Sequence, residues 1–169
     1  MQIFKLFLTI MVFMSMTLNI HASDNEPAVA IELVARFDVD TPPGNIAIGP
    51  DGRIFLSVHE FYSKPLRIVE LLKNGTTKPY PNENWAYAAQ ERQSGGLYGV
   101  LGLNVDNNGI LWMLDVSGKE QAGRLVAWDT KKETLHRIIY LAKPIITENS
   151  FLNDLAIDTK HNAIYIADT

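Results

Sequence analysis

Gly102-Leu-Asn-Val-Asp-Asn-Asn-Gly-Ile-Leu-Trp-Met-Leu-Asp115 reads as an apolar strand, a turn at Asn107-Asn108-Gly109, and a second apolar strand ending on a polar residue. The same pattern stands in Asn45-Ile-Ala-Ile-Gly-Pro-Asp-Gly-Arg-Ile-Phe-Leu-Ser57 and in Asp154-Leu-Ala-Ile-Asp-Thr-Lys-His-Asn-Ala-Ile-Tyr-Ile-Ala-Asp168. The matching apolar positions Ile48, Val105 and Ile157 are 57 and 52 residues apart. A period of about 50 residues built from strands is the mark of a β-propeller with one blade per repeat.

Working outward, blade one is expected over about 45–80. Its inner strands, about 45–49 and 53–58, join at Pro50-Asp51-Gly52. Its outer strands, Leu66–Leu72 and about 76–80, join at the hairpin signal Asn74-Gly75. Blade two is expected over about 102–141, with Arg124–Trp128 and Thr134–Leu141 joined by the polar turn Asp129–Lys132. The β-rich composition of these runs supports the assignment. Residues 154–169 hold only the two inner strands of a third blade. The expected fold is therefore all-β, a propeller of six-bladed type truncated to about two and a half blades. Val29–Val39 reads as one further strand, and residues 84–92 as about two helical turns. The segments 81–98 and 142–152 are long, polar connections of the kind that often carries function.

Residues 1–22 have the layout of a secretory signal peptide. Lys5 is the only charge before Asp24, Leu6–Leu18 is almost wholly apolar, and Ala22-Ser23 offers a cleavage junction. A run of thirteen mostly apolar residues is short for spanning a bilayer. Cleavage takes the net charge from −4 to −5, against a nucleic-acid partner, which needs a basic face. There is no cysteine, so an exported chain relies on its packed core. The expected location is secreted or periplasmic, with no membrane contact after cleavage.

Three segments carry a family resemblance: Pro43–Ser57, Val100–Asp115, and Ser150–Asp158 running on to Tyr165-Ile-Ala-Asp-Thr169. They resemble the major royal jelly protein and Yellow family, in its bacterial, dopachrome-tautomerase-related members. The resemblance covers about residues 33–169. It implies a six-bladed propeller with a ligand pocket at one mouth of the central channel, and in some relatives small aromatic amines as ligands. The lack of cysteine departs from the insect secreted members. In related sugar-lactonase propellers a divalent cation is held by Glu, Asn and Asp just before the inner strands. The matching positions here are Gly44, Leu101 and Asn153, so one of three could ligate, and no metal or other cofactor is expected.

The candidate ligand-binding residues are Asn153 and Asp154 at the start of the third repeat, and Asp115 and Asp168 at strand ends, with Ser57 in the same class. His59 and Glu60, followed by Phe61 and Tyr62, form an aromatic–carboxylate cluster suited to an amine. Each has a plainer reading as a turn-forming or surface group. Trp112 and Trp128 read as core. No phosphate loop or nucleophilic triad is present. Three functions stay open: a small-molecule-binding propeller, a tautomerase-like or lactonase-like propeller enzyme, and an inactive fragment. The unpaired edge near Ile164 is expected to cause self-association or aggregation.

Overall fold

The computed structural model describes residues 30–58, 61, 63–89, 95–116 and 123–169. The expected signal peptide and the pair His59 and Glu60 lie outside them. Leu33–Thr169 form one compact unit; of the residues before it, 30–32 are described, and all three are exposed.

Among the described residues ten strands follow one another, interrupted by one helical turn. They are β1 (Pro43–Ile48), β2 (Ile54–Val58), β3 (Ile68–Leu71), β4 (Thr77–Pro79), α1 (Glu83–Ala86), β5 (Val100–Val105), β6 (Ile110–Asp115), β7 (Gly123–Asp129), β8 (Thr134–Leu141), β9 (Leu152–Asp158) and β10 (Ala163–Asp168). Sheet 1 has the order β1-β2-β3-β4 and sheet 2 the order β5-β6-β7-β8; sheet 3 is the pair β9-β10. All pairings between these strands are antiparallel. The chain is thus an all-β succession of meanders joined by tight turns.

The repeat read in the sequence is also a repeat of register. Ile48 pairs with Ile54, Val105 with Leu111, and Ile157 with Ile164. Near the opposite end of each hairpin the pairing slips, between Pro43 and Ile46, between Val100 and Leu103, and between Ala167 and Asp168. These bulges add residues to the first strand of each pair and re-aim its side chains.

Alternation along β6 explains how the sheets stack. Leu111 and Met113 join Phe55, Ile68, Tyr80, Val126 and Trp128 in a core shared by sheets 1 and 2. Ile110, Trp112 and Leu114 join Leu125, Ala127, Leu152 and Leu155 in a second core, shared by sheets 2 and 3. Sheet 2 is therefore covered on both faces, and every residue of β6 is buried. Trp112 and Trp128 are core residues, as their place in apolar runs suggests.

Arg53 ties sheet 1 to the β7–β8 turn. Its Nε and Nη2 donate to Glu70 at 2.8 and 2.9 Å, and its Nη1 donates to Thr130 O and Glu133 Oε1, each at 2.8 Å. The guanidinium also lies 5.1 Å from the Phe55 and Tyr80 ring centres. Tyr80 Oη donates to Glu133 Oε2 at 2.9 Å.

Two expectations are corrected. The described part of Val29–Val39 is not a strand: residues 30–38 pair with no sheet edge, and Ile31 is 98% exposed. A β-prone composition gains nothing without a ladder partner. The helix expected over 84–92 is the single turn Glu83–Ala86. Asn82 caps it by accepting from Asn84 N and Trp85 N, and Tyr87 returns to extended backbone. Tyr87 then bridges Leu66, and Ala88 bridges Leu97, which draws this connection onto the sheets.

Candidate functional site

The bulged ends of the three hairpins put Asn45, Gly102 and Asp154 at matching places on β1, β5 and β9. Gly102 carries no side chain, and a Cβ there would stand 2.9 Å from Asp154 Cα. That close approach leaves Asn45 and Asp154 free to meet. Asn45 Nδ2 donates to Asp154 Oδ1 at 3.2 Å, and Leu155 N donates to the same oxygen at 2.8 Å. Ser57 fixes the other side of Asn45. Its Oγ accepts from Asn45 N at 2.8 Å and donates to Leu101 O at 3.0 Å. The three first strands are thus linked by polar contacts at one end of the sheets. Asn153 stands beside Asp154 in the β9 bulge and is exposed.

Aromatic groups gather at the same end of sheet 3. Phe61, after β2, stacks on Phe151, before β9, with ring centres 6.2 Å apart and planes 11° from parallel. Phe61 is 70% exposed and Phe151 37%. Asp168 Oδ1 accepts from Phe151 N at 2.7 Å, which holds the residue that carries the second ring. Among the described residues no donor engages Oδ2 of Asp168 or of Asp154. Two exposed rings and two carboxylates with a spare oxygen each make a surface suited to a flat organic cation.

Asp115 is placed differently. It ends β6 as Asp168 ends β10, but it is wholly buried and opens onto no solvent. Its Oδ1 accepts from Tyr98 N and Gly99 N at 2.8 and 2.9 Å, and its Oδ2 accepts from Arg124 Nε at 2.6 Å. Burial pushes the carboxyl up from its ordinary value, while Arg124 and the two amides pull it down. Arg124 in turn donates to Gly96 O at 2.5 Å and lies 5.0 Å from the Tyr98 ring centre. Asp115 therefore anchors the connection between sheets 1 and 2. The expectation that it lines a pocket is corrected, because Arg124 and the 96–99 segment cover it.

The structure brings Asn153, Asp154 and Asp168, each marked separately in the sequence, to one end of sheet 3, and Phe61, read in the sequence as part of the His59–Glu60 cluster, stacks on Phe151. Sequence reasoning missed Asn45, Phe151 and Arg124. Asn45 was findable, since it matches Asp154 once one counts the bulge residue in each repeat. Phe151 and Arg124 act through contacts from distant segments, and no local pattern marks them. Among the described residues no three His, Asp or Glu side chains stand close enough to hold a metal ion.

Residues 98–169, which span sheets 2 and 3, match the model of the family described as Major royal jelly protein. The resemblance read from the sequence holds over that segment. No curated protein matches the chain.

Proposed function

We propose that the three sheets are successive blades of a propeller of the royal jelly type, and that the chain binds a small aromatic amine at the channel mouth. In this reading β1, β5 and β9 are the inner strands and their bulged ends form the rim. The observation that carries it is the exposed Phe61–Phe151 stack beside Asp168, next to the Asn45–Asp154 pair. The rings supply faces for an aromatic group or an ammonium, and the carboxylates supply charge. Gly44, Leu101 and Asn153 fall in the three bulges and offer one side-chain oxygen between them. That favours binding over a lactonase-like cation site, which needs six or more oxygens.

Tyramine is a suitable probe, followed by calorimetry. Saturable binding is expected, weakened about tenfold by Asp168→Asn, the loss of roughly 1.4 kcal/mol. Phe151→Ala should weaken it similarly. Absence of binding, or equal binding of an uncharged phenol, would overturn the proposal. Export is part of the same reading: N-terminal sequencing of the mature protein should begin at Ser23, and soluble protein retaining Met1 would refute it.

A further inference from the structure

The chain holds two Asn-Gly pairs, and each stands in a turn between paired strands: Asn74-Gly75 between β3 and β4, and Asn108-Gly109 between β5 and β6. The two turns share a backbone. Gly75 N donates to Leu72 O and Gly109 N to Asp106 O, each at 2.9 Å. Both glycines have positive φ, 81° and 84°. Both asparagines are exposed.

Their surroundings differ. At the first turn Thr76 N and Thr76 Oγ1 donate to Asn74 Oδ1 at 3.0 and 2.7 Å. A bond from a side-chain oxygen to the residue two places on folds the carboxamide back over the peptide between them. That brings Asn74 Cγ towards the Gly75 nitrogen. The two donors also stand where negative charge collects on Oδ1 when a nucleophile adds to Cγ, as in an oxyanion hole. Gly75 is exposed, and a Cβ there would meet nothing within 4 Å.

At the second turn the matching amide, Ile110 N, donates instead to Asp106 Oδ1 at 2.9 Å. Among the described residues none donates to the Asn108 carboxamide oxygen. Gly109 is buried. Thr130 N and Oγ1 donate to its carbonyl at 3.0 and 2.7 Å, and a Cβ there would stand 3.1 Å from Lys131 Cε.

We infer that Asn74 is a self-modification site, at which the folded chain closes a succinimide with Gly75 and passes on to aspartate and isoaspartate, while Asn108 reacts far more slowly. Water and hydroxide are the only co-reactants. Hydroxide takes the Gly75 amide proton, and the nitrogen bonds to Asn74 Cγ. The Cγ–Nδ2 bond then breaks, and Nδ2 leaves as ammonia with a proton from water. Water opens the ring on either side. Breaking the bond from Gly75 N to Cγ gives aspartate. Breaking its bond to the Asn74 main-chain carbonyl carbon gives isoaspartate, whose chain runs through Cγ. Nothing is oxidised or reduced. The hydrogen bond from Gly75 N to Leu72 O opens first, at little cost in an exposed turn. Gly109 N makes the same bond, so that step does not separate the two sites. Isoaspartate adds a methylene to the main chain beside β4, whose register with β3 covers three residue pairs. Amide exchange in β4 should therefore quicken in the aged chain.

The test ages the full folded chain in mildly alkaline buffer and follows each asparagine by peptide mass spectrometry, with aspartate and isoaspartate separated by chromatography. Asn74 is expected to convert about tenfold faster than Asn108, a ratio set by the difference in barrier. In urea, where both turns are lost, the two rates should converge. Thr76→Val keeps the shape of the side chain and removes the hydroxyl donor; it should slow Asn74 several-fold, and Thr76→Ser should restore the rate. An unchanged rate at Asn108 and an unchanged thermal melt control for folding. Equal rates at the two sites in the folded chain, a ratio that persists in urea, or a rate untouched by Thr76→Val overturns the inference.

Discussion

At the residue scale, Gly102 is a position with no room for a side chain. A Cβ there would stand 2.9 Å from Asp154 Cα and 2.9 Å from Leu155 Cδ2, and a backbone atom cannot rotate away. Gly102→Ala is expected to push β9 from β5, cost about 1–3 kcal/mol, and part Asn45 from Asp154. Urea unfolding gives the first effect and amine binding the second. Asp115→Ala removes the partner of a largely buried Arg124, with an expected loss of about 3–5 kcal/mol. Unchanged unfolding would show that Arg124 finds other acceptors.

Glu70 sets a pH dependence of its own. Burial raises its pKa, but Arg53 and Lys78 outweigh that and hold it below its ordinary value. A carboxylate with a depressed folded pKa stabilises the fold above its unfolded pKa, and that contribution is lost as pH falls through the folded one. Thermal melts should therefore weaken on the acid side, below about pH 4.3. Glu70→Gln should be less stable near neutrality and show a shallower acid decline.

At the scale of elements, β6 and β10 occupy the same place in their repeats but differ in environment. Leu111 and Leu114 face opposite cores, and neither is exposed. Leu111→Ala and Leu114→Ala should each cost about 2–5 kcal/mol. Ile164→Ala should cost less, since that side chain is only partly buried. The strand pairs were legible because alternation, turn residues and period agreed. The stretch at 30–39 was not, because its β-prone residues look like a strand whether or not an edge exists to receive them. The helical turn at 83–86 was over-read for the complementary reason, since the bridge from Tyr87 to Leu66 is a long-range contact that overrides local helix preference.

At the scale of the whole molecule, sheet 2 lies between two cores and sheet 3 has one covered face. Amide hydrogen exchange should be slowest in β5–β7 and fastest in β10, whose outer edge carries no strand among the described residues. Equal protection throughout would mean that sheet 3 is covered in solution. The sequence by itself determined the strands that form the three sheets, their turns and the repeat, because each follows from local alternation and spacing. It also marked Asn153, Asp154 and Asp168 as polar groups at one end of the repeat. Only the tertiary structure decided which carboxylates are accessible. Asp115 and Asp168 end their strands alike, yet Asp115 is sealed under Arg124, Tyr98 and Gly99, while Asp168 meets solvent beside Phe151. The difference comes from what the neighbouring segments cover, and burial of that kind is a property of long-range packing that no short run of residues encodes.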